Sequence, residues 1–382
     1  MRVLQTIARL TATSSGPATC TFGLVKALNS NGNEVKLLTL SDGSRYNQED
    51  EESKKWLVKL PYDARPPLFV SLNMKHELDK SHYDLYHCNG LWMWINHYTC
   101  VVARSKRKKY IISPHGMLYP NALRTHYWKK WLMLKLWFKK DLYSAACLHA
   151  TCRQEAEHCR KFGYKGPIAV IPNPVVIPDY VQIATSKSTK RKKIGFLGRL
   201  HPIKKVEQIL YAIALLTEDE QSQLLFQIMG KYDANYELFL RSEVKRLNLE
   251  NCVSFEGFVT GPDKYDRLKK LWALLVPSES ENFGMIVPEA LICGTPVYAS
   301  LGTPWEELIK NGCGWWNDNS PETIARILRE ILVMDEKTNL EMGKKGRHLI
   351  EERFNTNIVA GMMDKLYHWI LNGGETPNFL YC

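Results

Sequence analysis

The length and composition of the chain describe a globular protein with room for two domains. Its 382 residues are 45% hydrophobic and 24% charged, which is typical of folded proteins, and the length exceeds what one core usually holds. The ten cysteines form no C-x-x-C pair and no Cys/His cluster at metal spacing, which argues against a disulfide framework or a structural zinc site. The N-terminus does not resemble a signal peptide, and no apolar run is long enough to span a bilayer. We therefore expect a cytoplasmic protein.

The formal net charge of +11 indicates an anionic partner. Nucleic acid, an anionic membrane face and phosphate-bearing substrates are the three candidates. Basic clusters occur at 104–109, 129–140 and 190–193, but no helix-turn-helix, zinc-finger or RNA-recognition pattern accompanies them. Nucleic acid is therefore the weakest candidate, and we expect no nucleic-acid partner.

The first half of the chain alternates strand and helix patterns, which is typical of a parallel sheet. Strands are predicted at 3–7, 34–40, 85–87 and 110–112, and a helix is predicted at 20–29 after a polar loop. The polar segment 41–67 shows no clear period, so it predicts a long insertion or a mobile loop.

A histidine follows the predicted strand at 110–112. The sequence SPHGML occupies 113–118, so His115 is expected at the carboxyl end of a strand, where α/β sheets bind ligands. It could donate a hydrogen bond to a ligand hydroxyl or sense the proton of an acceptor. The alternative is a loop histidine bonded to the backbone.

Residues 127–143 are rich in Trp, Lys and Leu, the residues of helices that lie on membrane surfaces. At 100° per residue, however, Lys129, Lys130 and Lys135 fall on separate sides of a helix. A helix buried in the first domain, with lysine stems reaching solvent, explains the composition equally well. If the helix lies on a membrane surface, the protein makes peripheral contact with the inner face of an anionic membrane.

Further along, Thr151 and Glu155 predict a helix-capping arrangement, and the polar, basic segment 179–192 predicts a linker. The second half begins with a predicted strand at 193–197, followed by the turn GRLHPIKK at 198–205. Arg199 as a planar fork and Lys204 as a point charge suit phosphate binding at such a turn. The later elements are predicted as strands at 224–230, 253–258, 271–277, 296–300 and 312–316 and helices at 324–334, 340–354 and 358–371.

The most informative segment is PSESENFGMIVPEALICGTPV, at 277–297. Two carboxylates, Glu281 and Glu289, stand eight residues apart in it, and an apolar stretch predicts a helix beginning near Gly284. Pro288 is tolerated in the first turn of such a helix, and the free amides of 284–287 predict an anion site there. A nucleotide sugar has the matching shape. Its phosphates would lie at the anion site, and its hydroxyls at either end would donate hydrogen bonds to the two carboxylates. The alternative is a set of solvated charges around a buried helix.

This segment resembles the E-x7-E motif of the retaining glycosyltransferases of the GT-B fold, specifically family 4 (glycosyl transferases group 1). In that family the first Glu contacts the donor sugar, the helix start holds the diphosphate and the second Glu binds the ribose. The resemblance implies these roles for Glu281 and Glu289.

Other segments are similar to the same family. The loop at 14–17 matches the family's Gly-Gly loop with Pro17 in place of the second Gly, the SPHGML segment resembles its His-Gly loop, and Pro174 replaces a Gly in its PNGV turn. In the GRLHPIKK turn, Lys205 stands where Gly is usual, which leaves open whether Lys204 or Lys205 faces the site.

The resemblance implies a complete set of site residues. Catalytic roles fall to His115, Arg199, Lys204 and Glu281, and donor contacts to Gly16, Arg199, Lys204, Phe258, Asn282, Phe283, Gly284, Met285, Ile286 and Glu289. No Asp-x-Asp occurs in the sequence, so we expect no metal and no other cofactor, with a UDP-sugar or GDP-sugar as donor.

These observations predict an α/β protein of the GT-B class, with two Rossmann-like domains whose parallel sheets face each other across a cleft. The expected domains are 1–178 on the acceptor side, a linker at 179–192 and a nucleotide-sugar domain at 193–357, with 358–382 packing back on the first. The predicted activity is retaining transfer of a sugar from a nucleotide diphosphate to a hydroxyl of a growing, lipid-linked surface glycan of the lipopolysaccharide, O-antigen or capsule type. The alternatives are a nucleotide-sugar epimerase of the same fold and a non-catalytic basic adaptor at the membrane surface.

Overall fold

The computed structural model describes residues 1–10, 16–41, 43, 46–63, 70–80, 82–187, 190–230 and 233–381. The chain forms two compact units. Unit 1 comprises Met1–Val176 with Phe354–Cys382, and unit 2 comprises Ile177–Arg353. The C-terminal segment therefore belongs to the same unit as the N-terminus.

Strands and helices alternate through most of the chain, with three α-helices and a π-helical turn in close succession after β5. The strands are β1 (Arg2–Arg9), β2 (Glu34–Ser41), β3 (Leu57–Pro61), β4 (Leu85–Asn89), β5 (Lys109–Ser113), β6 (Cys147–Ala150), β7 (Ile168–Val170), β8 (Lys192–Leu197), β9 (Leu224–Met229), β10 (Val253–Gly257), β11 (Ala273–Val276), β12 (Val297–Ser300), β13 (Gly314–Asn317) and β14 (Leu380–Tyr381). The α-helices are α1 (Gly16–Ser30), α2 (Leu72–Lys80), α3 (Trp94–Ser105), α4 (Pro120–Arg124), α5 (Tyr127–Met133), α6 (Lys139–Tyr143), α7 (Arg153–Lys161), α8 (Val206–Ala214), α9 (Glu218–Ser222), α10 (Ala234–Arg246), α11 (Gly261–Lys270), α12 (Ile286–Ile292), α13 (Glu307–Lys310), α14 (Pro321–Val333), α15 (Glu336–Arg353) and α16 (Thr356–Asn372). Short 3₁₀ turns at Ser53–Lys55 and Pro202–Lys204 and a π-helical turn at Leu134–Phe138 complete the set.

Unit 1 is built on an eight-stranded sheet in the order β14-β7-β6-β5-β4-β1-β2-β3. Its strands pair parallel except for β14, which pairs antiparallel with β7. Both faces are covered, so apolar residues occupy both sides of each strand. On β1, Val3 and Ile7 pack with α1 and α16, while Leu4 and Ala8 pack on the opposite face with α3.

Unit 2 is built on a six-stranded parallel sheet in the order β10-β9-β8-β11-β12-β13. The chain proceeds outward from β8 in one direction and from β11 in the other, so the strand order reverses between these two neighbours. In open α/β sheets, ligands bind outside the carboxyl ends of the strands at such a reversal. The fold therefore predicts a ligand-binding site at the segments after β8 and β11.

The predicted class of two parallel-sheet α/β domains is confirmed. Three local expectations need correction. The segment predicted as an insertion at 41–67 contains a 3₁₀ turn and β3, which pairs parallel with β2. The first helix starts at Gly16 rather than at residue 20. In the segment predicted as a linker, the side chains of Val181, Ala184 and Lys187 are buried.

Candidate active site

The segments after β8 and β11 meet through an ion pair. Lys204, in the turn 198–205 (the basic turn), pairs with Oε1 of Glu281, in the segment 277–289 (the carboxylate segment). These residues are 77 positions apart in the sequence. Ser278 Oγ donates to the same Glu281 oxygen at 2.9 Å. The structure thus brings together two of the residues that the sequence predicts as catalytic.

Backbone hydrogen bonds hold the carboxylate segment in place. The amide of Glu279 donates to the carbonyl of Ile203 at 2.8 Å, which joins it directly to the basic turn. The amide of Glu281 donates to the carbonyl of Gly302 at 2.9 Å. A Cβ at Gly302 would lie 2.2 Å from the carbonyl oxygen of Glu279, so this close approach of two backbones requires glycine.

The helix start after Glu281 differs from the prediction. Helix α12 begins at Ile286, after Gly284 has turned the chain at a φ of +73° and Met285 has served as its N-cap. The amide of Val287 donates to the carbonyl of Gly284 at 2.9 Å, so the prediction that all amides of 284–287 are free is wrong. The anion site predicted there can use at most the amides before Val287.

Within this turn, Phe283 is a structural residue. Its ring is 5% exposed and packs edge-on against Trp305 with ring centroids 5.2 Å apart. Trp305 Nε1 donates to the carbonyl of Phe283 at 2.5 Å. Asn282 is partly exposed. Because the Phe283 ring is buried, any ligand contact by that residue falls to its backbone.

Glu289 also has a cationic partner, which the sequence did not reveal. Lys264 Nζ, on α11, lies 2.8 Å from Oε1 of Glu289 on α12. The neighbouring Tyr265 is partly buried, and desolvation together with the Glu289 charge raises the pKa of its hydroxyl. No motif or spacing connects Lys264 with Glu289, because the two residues meet only through the packing of two helices.

The remaining predicted donor residues of unit 2 lie on the surface. Arg199 directly follows β8, is exposed, and forms no ion pair with the described residues. Phe258 follows β10, and 62% of it is exposed. Lys205 Nζ lies 3.3 Å from the carboxylate of Glu279, half of which is exposed. Lys204 is therefore the lysine that reaches Glu281, and Lys205 points to a different carboxylate.

In unit 1, His115 follows β5 in a left-handed backbone conformation, with a φ of +51°. Its Nε2 lies 3.0 Å from Oδ1 of Asn89, and its Nδ1 is buried without a hydrogen-bond partner among the described residues. The alternative of a backbone-bonded loop histidine is therefore wrong. Burial, assisted by the nearby His149, lowers the pKa of His115 to about 3, so the imidazole is neutral at physiological pH.

The loop that carries His115 is held by Glu155. Oε1 of Glu155 accepts from the amide of Gly116 at 2.5 Å, and Oε2 accepts from the amide and the hydroxyl of Thr151 at 2.7 and 2.9 Å. The predicted cap at Thr151 is shifted by one residue, because Cys152 is the N-cap of α7 and its Sγ accepts from the amide of Glu155. The carboxylate thus positions the histidine loop as well as the helix.

Gly16, the remaining predicted donor residue, is the first residue of α1. Pro17 follows it in the first turn, where a missing amide costs nothing. The rest of the predicted loop, residues 14 and 15, lies outside the described residues.

The helical segment 127–143 has an exposed apolar surface. Most of its large apolar residues are exposed to solvent, so the buried-helix alternative is wrong for most of the segment. It holds only for the C-terminal part, where Phe138 and Leu142 are buried. We call the exposed set the tryptophan surface: Trp128 (65% exposed), Trp131 (52%), Leu132 (43%), Leu136 (56%) and Trp137 (37%). Lys129, Lys135, Lys139 and Lys140 on the same helical segment are also exposed.

The described residues contain neither a candidate metal cluster nor a helix that could span a membrane. No group of three or more His, Cys, Asp or Glu side chains in this part of the chain could hold a metal ion. No helix among the same residues has the length and apolar character needed to cross a membrane.

Comparisons with known proteins agree with the fold. The family model for Glycosyltransferase Family 4 matches residues 14–177, and that for Glycosyl transferases group 1 matches residues 182–349. The chain belongs to this family of GT-B glycosyltransferases and is a transferase enzyme.

Three curated relatives illustrate the range of the family. The chain is 27% identical to the uncharacterized glycosyltransferase MJ1607 of Methanocaldococcus jannaschii, over 88% of this chain and 93% of that protein. It is 25% identical to N-acetyl-alpha-D-glucosaminyl L-malate synthase of Bacillus anthracis, over 48% of this chain and only 47% of the relative. It is 24% identical to the O-antigen biosynthesis glycosyltransferase WclY of Escherichia coli, over 41% and 45% of the two chains.

Solved structures share the fold over nearly the whole chain. Sucrose-phosphate synthase from Thermosynechococcus elongatus superposes with a TM-score of 0.77 at 19% identity, covering 98% of this chain and all of the other. Anabaena HepE, in complex with UDP and glucose, gives 0.76 at 18% identity, with 96% and 99% covered. WaaG, a glycosyltransferase involved in lipopolysaccharide biosynthesis, gives 0.69 at 14% identity, with 97% and 100% covered.

Proposed function

We propose that this enzyme is a retaining glycosyltransferase whose unit 2 holds a nucleotide diphosphate sugar and which transfers the sugar to a hydroxyl of a lipid-linked surface glycan. The observation that carries the proposal is the meeting of Lys204 and Glu281 where the strand order of unit 2 reverses. Family membership alone gives the reaction class, while this pair adds a location for the donor.

The ion pair suits a donor that carries both a diphosphate and a sugar. Negative charge builds on the diphosphate as the glycosidic bond breaks, and preorganised cations reduce that cost. We assign this task to Arg199 and Lys204. Glu281 would then accept a hydrogen bond from a sugar hydroxyl, and until the donor binds it keeps Lys204 in position. No step requires a metal, so activity should persist in EDTA.

Glu289 is proposed to bind the ribose. Its carboxylate is partly exposed and paired with Lys264, so a ribose hydroxyl could share it without leaving an isolated buried charge. The base is proposed to lie against the backbone near Phe258, after β10.

UDP is the favoured donor nucleotide, because HepE of the same fold has been crystallised with UDP and glucose; GDP is the alternative. A thermal-shift screen of UDP, GDP and their sugars tests the choice, since a ligand bound only by the folded state raises the melting temperature. A shift with UDP-sugars but not GDP-sugars supports the assignment, and the reverse result replaces UDP by GDP.

The acceptor is proposed to be a glycan of the lipopolysaccharide, O-antigen or capsule type. The relative WclY and the structural neighbour WaaG are described as enzymes of O-antigen and lipopolysaccharide biosynthesis. Incubation of the donor with glycolipid acceptors, followed by NMR of the product, tests transfer and stereochemistry together. Retention of the donor's anomeric configuration is expected. A free epimerised nucleotide sugar would instead support the epimerase alternative.

The tryptophan surface is proposed to contact an anionic membrane, which would keep the enzyme beside a lipid-linked acceptor. Trp and Leu suit the interface between headgroups and acyl chains, and each nearby lysine adds about 1 kcal/mol of attraction to anionic lipid. The lysines lie on separate sides of the helix, but they need not share one face, because more than one side of this exposed helix can approach the headgroups.

Vesicle co-sedimentation tests this contact. The protein should pellet with anionic vesicles but not with neutral ones, and about 0.5 M salt should release most of it because the charges are screened. Substituting Ala for both Trp128 and Trp131 should reduce pelleting about tenfold. Leu238→Ala, which removes an equally exposed apolar side chain from unit 2, is the matched control. Equal pelleting of all variants, or of both vesicle types, would refute the contact.

A further inference from the structure

A continuous series of hydrogen bonds crosses the interior of unit 1 and ends at His115. Its members come from β1, β4, β5, β6, α16, the loop after β5 and the residue after β7. His149 Nε2 lies 2.8 Å from the carbonyl oxygen of Ile171, and His149 Nδ1 lies 2.7 Å from Ser113 Oγ. Ser113 Oγ lies 2.6 Å from His87 Nε2, and His87 Nδ1 lies 2.8 Å from Tyr367 Oη. Gln5 Nε2 lies 2.8 Å from Tyr367 Oη, Asn89 Nδ2 lies 3.0 Å from Gln5 Oε1, and His115 Nε2 lies 3.0 Å from Asn89 Oδ1.

The direction of this series is set at its first bond. The carbonyl of Ile171 can only accept, so His149 carries its proton on Nε2. Burial lowers the pKa of His149 to about 4, so the ring is neutral at physiological pH and its Nδ1 must accept. The hydroxyl of Ser113 therefore donates its single proton to His149.

The same reasoning passes through the next two groups. Ser113 has no second proton to give, so its oxygen accepts from Nε2 of His87. His87 is fully buried, which lowers its pKa, and the neutral ring must accept at Nδ1. The hydroxyl of Tyr367 donates to that nitrogen, and its oxygen accepts from the amide of Gln5.

The two amides carry the direction to the end of the series. Because the nitrogen of Gln5 faces Tyr367, its oxygen faces the nitrogen of Asn89. The oxygen of Asn89 is then left to accept from His115 Nε2. The opposite direction would require Ser113 to donate two protons or the Ile171 carbonyl to donate one, and neither is chemically available.

We infer that this series fixes His115 as the tautomer protonated on Nε2, so that its Nδ1 can only accept a hydrogen bond, from a sugar hydroxyl of the substrate. The identity of the hydroxyl as a sugar's rests on the proposed function. His115 therefore does not donate a hydrogen bond to substrate, since its one proton is committed to Asn89. Gln5, His87, Asn89, Ser113, His149 and Tyr367 are positioning residues for it.

The Nδ1 atom of His115 is available to accept a hydrogen bond from a ligand. A buried acceptor without a partner costs free energy, and this atom has none among the described residues. A ligand hydroxyl that donates to it would recover that cost. Nδ1 is shielded from solvent, so an incoming hydroxyl must displace part of its cover.

The tautomer is measurable without any substrate. The full-length protein, labelled with ¹⁵N-histidine, is examined by long-range ¹H–¹⁵N NMR, and the signals of His115 are identified by their loss in His115→Asn. We expect the Nδ1 signal at the shift of an unprotonated imidazole nitrogen and the Nε2 signal at that of a protonated one, from pH 6 to 8. The opposite pattern, or fast averaging of the two shifts, overturns the inference.

Tyr367→Phe tests whether the series sets the tautomer. This change disconnects the Ile171 carbonyl from Gln5, so both directions become available to Gln5, Asn89 and His115. The His115 shifts should then become averaged, and kcat/KM for transfer should fall about 3- to 10-fold with UDP affinity unchanged.

Tyr164→Phe is the matched control. It removes another buried tyrosine hydroxyl, bonded to the carbonyl of Ala145 at 3.0 Å and outside the series, and should leave the His115 shifts as in the wild type. Unchanged shifts in Tyr367→Phe would show that the series does not set the tautomer. If Tyr367→Phe does not fold, the wild-type spectrum still decides the tautomer. A wild type that transfers no sugar but has the expected spectrum would refute the proposed function alone.

Discussion

The two units prepare their candidate sites in opposite ways. In unit 2 the two candidate carboxylates are paired with cations: Glu281 with Lys204, and Glu289 with Lys264. In unit 1 the candidate His115 is neutral and ends a buried series of uncharged hydrogen bonds. The first arrangement suits a ligand that carries charge, and the second suits a ligand that offers a hydroxyl.

The energetic consequence follows from exposure. The carboxylates of unit 2 are 13–23% exposed on their side chains, so water still screens the pairs and a diphosphate can exchange partners with them at modest cost. In unit 1 the residues that lead to His115 are buried, and breaking one bond leaves a buried polar atom unsatisfied. Changes in unit 2 should therefore alter ligand handling, whereas changes in unit 1 should alter stability as well.

The largest expected effect is on turnover in unit 2. Arg199→Ala and Lys204→Ala should each lower kcat about 10²-fold or more, comparable to the loss of one preorganised donor to a developing charge. Arg199 is exposed, so its loss should leave the melting temperature unchanged. Lys204→Ala should lower it slightly, because Glu281 loses its cation.

Lys205→Ala is the matched control for these two variants. The neighbouring lysine pairs with the more exposed Glu279, so its loss should leave kcat within about twofold of wild type. Steady-state kinetics on all three variants decide the assignment. If Lys205→Ala is inactive while Lys204→Ala is active, the diphosphate lies against the other lysine.

The next effect is on nucleotide affinity. Glu289→Ala should weaken UDP binding by about 1–3 kcal/mol, because a charge-assisted hydrogen bond to the ribose is lost. Titration calorimetry measures this difference, with Glu279→Ala as the control carboxylate. Unchanged affinity in a folded Glu289→Ala protein would remove Glu289 from the ribose role.

In unit 1 we expect stability that depends on pH. The pKa of His149 is about 4 in the folded state and about 6.5 when unfolded, so the unfolded chain binds more protons between these values. The contribution of His149 to the free energy of unfolding should be complete above pH 6.5 and should fall by on the order of 2 kcal/mol as the pH drops to 4.5. Because the pKa values of the buried His87 and His115 are also lowered, His149→Asn should reduce the decline without abolishing it, measured by urea unfolding. The exposed His348→Gln should not, and equal slopes for all proteins would contradict a buried neutral His149.

The smallest effect concerns backbone strain in the basic turn. Lys205 has a φ of +52°, a conformation that costs an L-residue about 1–2 kcal/mol. Lys205→Gly should therefore raise the unfolding free energy by about 0.5 kcal/mol, after the greater freedom of glycine in the unfolded chain is subtracted. Lys205→Ala keeps the strain and separates this gain from the loss of charge. A less stable Lys205→Gly than Lys205→Ala would show that the turn is unstrained.

The sequence predicted the parts of the molecule that depend on local spacing. The strand alternation gave both parallel sheets, and the motif around Glu281 and the turn around Lys204 gave two residues that the structure joins. It could not predict the partner of Glu289, because Lys264 reaches it from another helix. The amide of Val287 was predicted to be free, but it donates to the carbonyl of Gly284, because Gly284 forms a turn and the helix begins two residues later.

The series that ends at His115 was beyond sequence reasoning for a physical reason. Gln5 and His87 are polar residues in largely apolar strands, and Tyr367 lies in helix α16. Each alone is an ordinary buried polar group, and only the packing of α16 on the sheet brings Tyr367 to His87. Polar residues in otherwise apolar strands are the one signal that could have marked these positions.

The most direct test of the central claim, that unit 2 binds the donor through the basic turn and the carboxylate segment, is a calorimetric titration of UDP and GDP into the wild type and into Arg199→Ala and Lys205→Ala. We predict that the wild type and Lys205→Ala bind one of the two nucleotides with equal affinity, and that Arg199→Ala binds it about tenfold more weakly, because one charge-assisted contact to the diphosphate is lost. Binding of equal strength in all three proteins, or binding of neither nucleotide by the wild type, would contradict the claim.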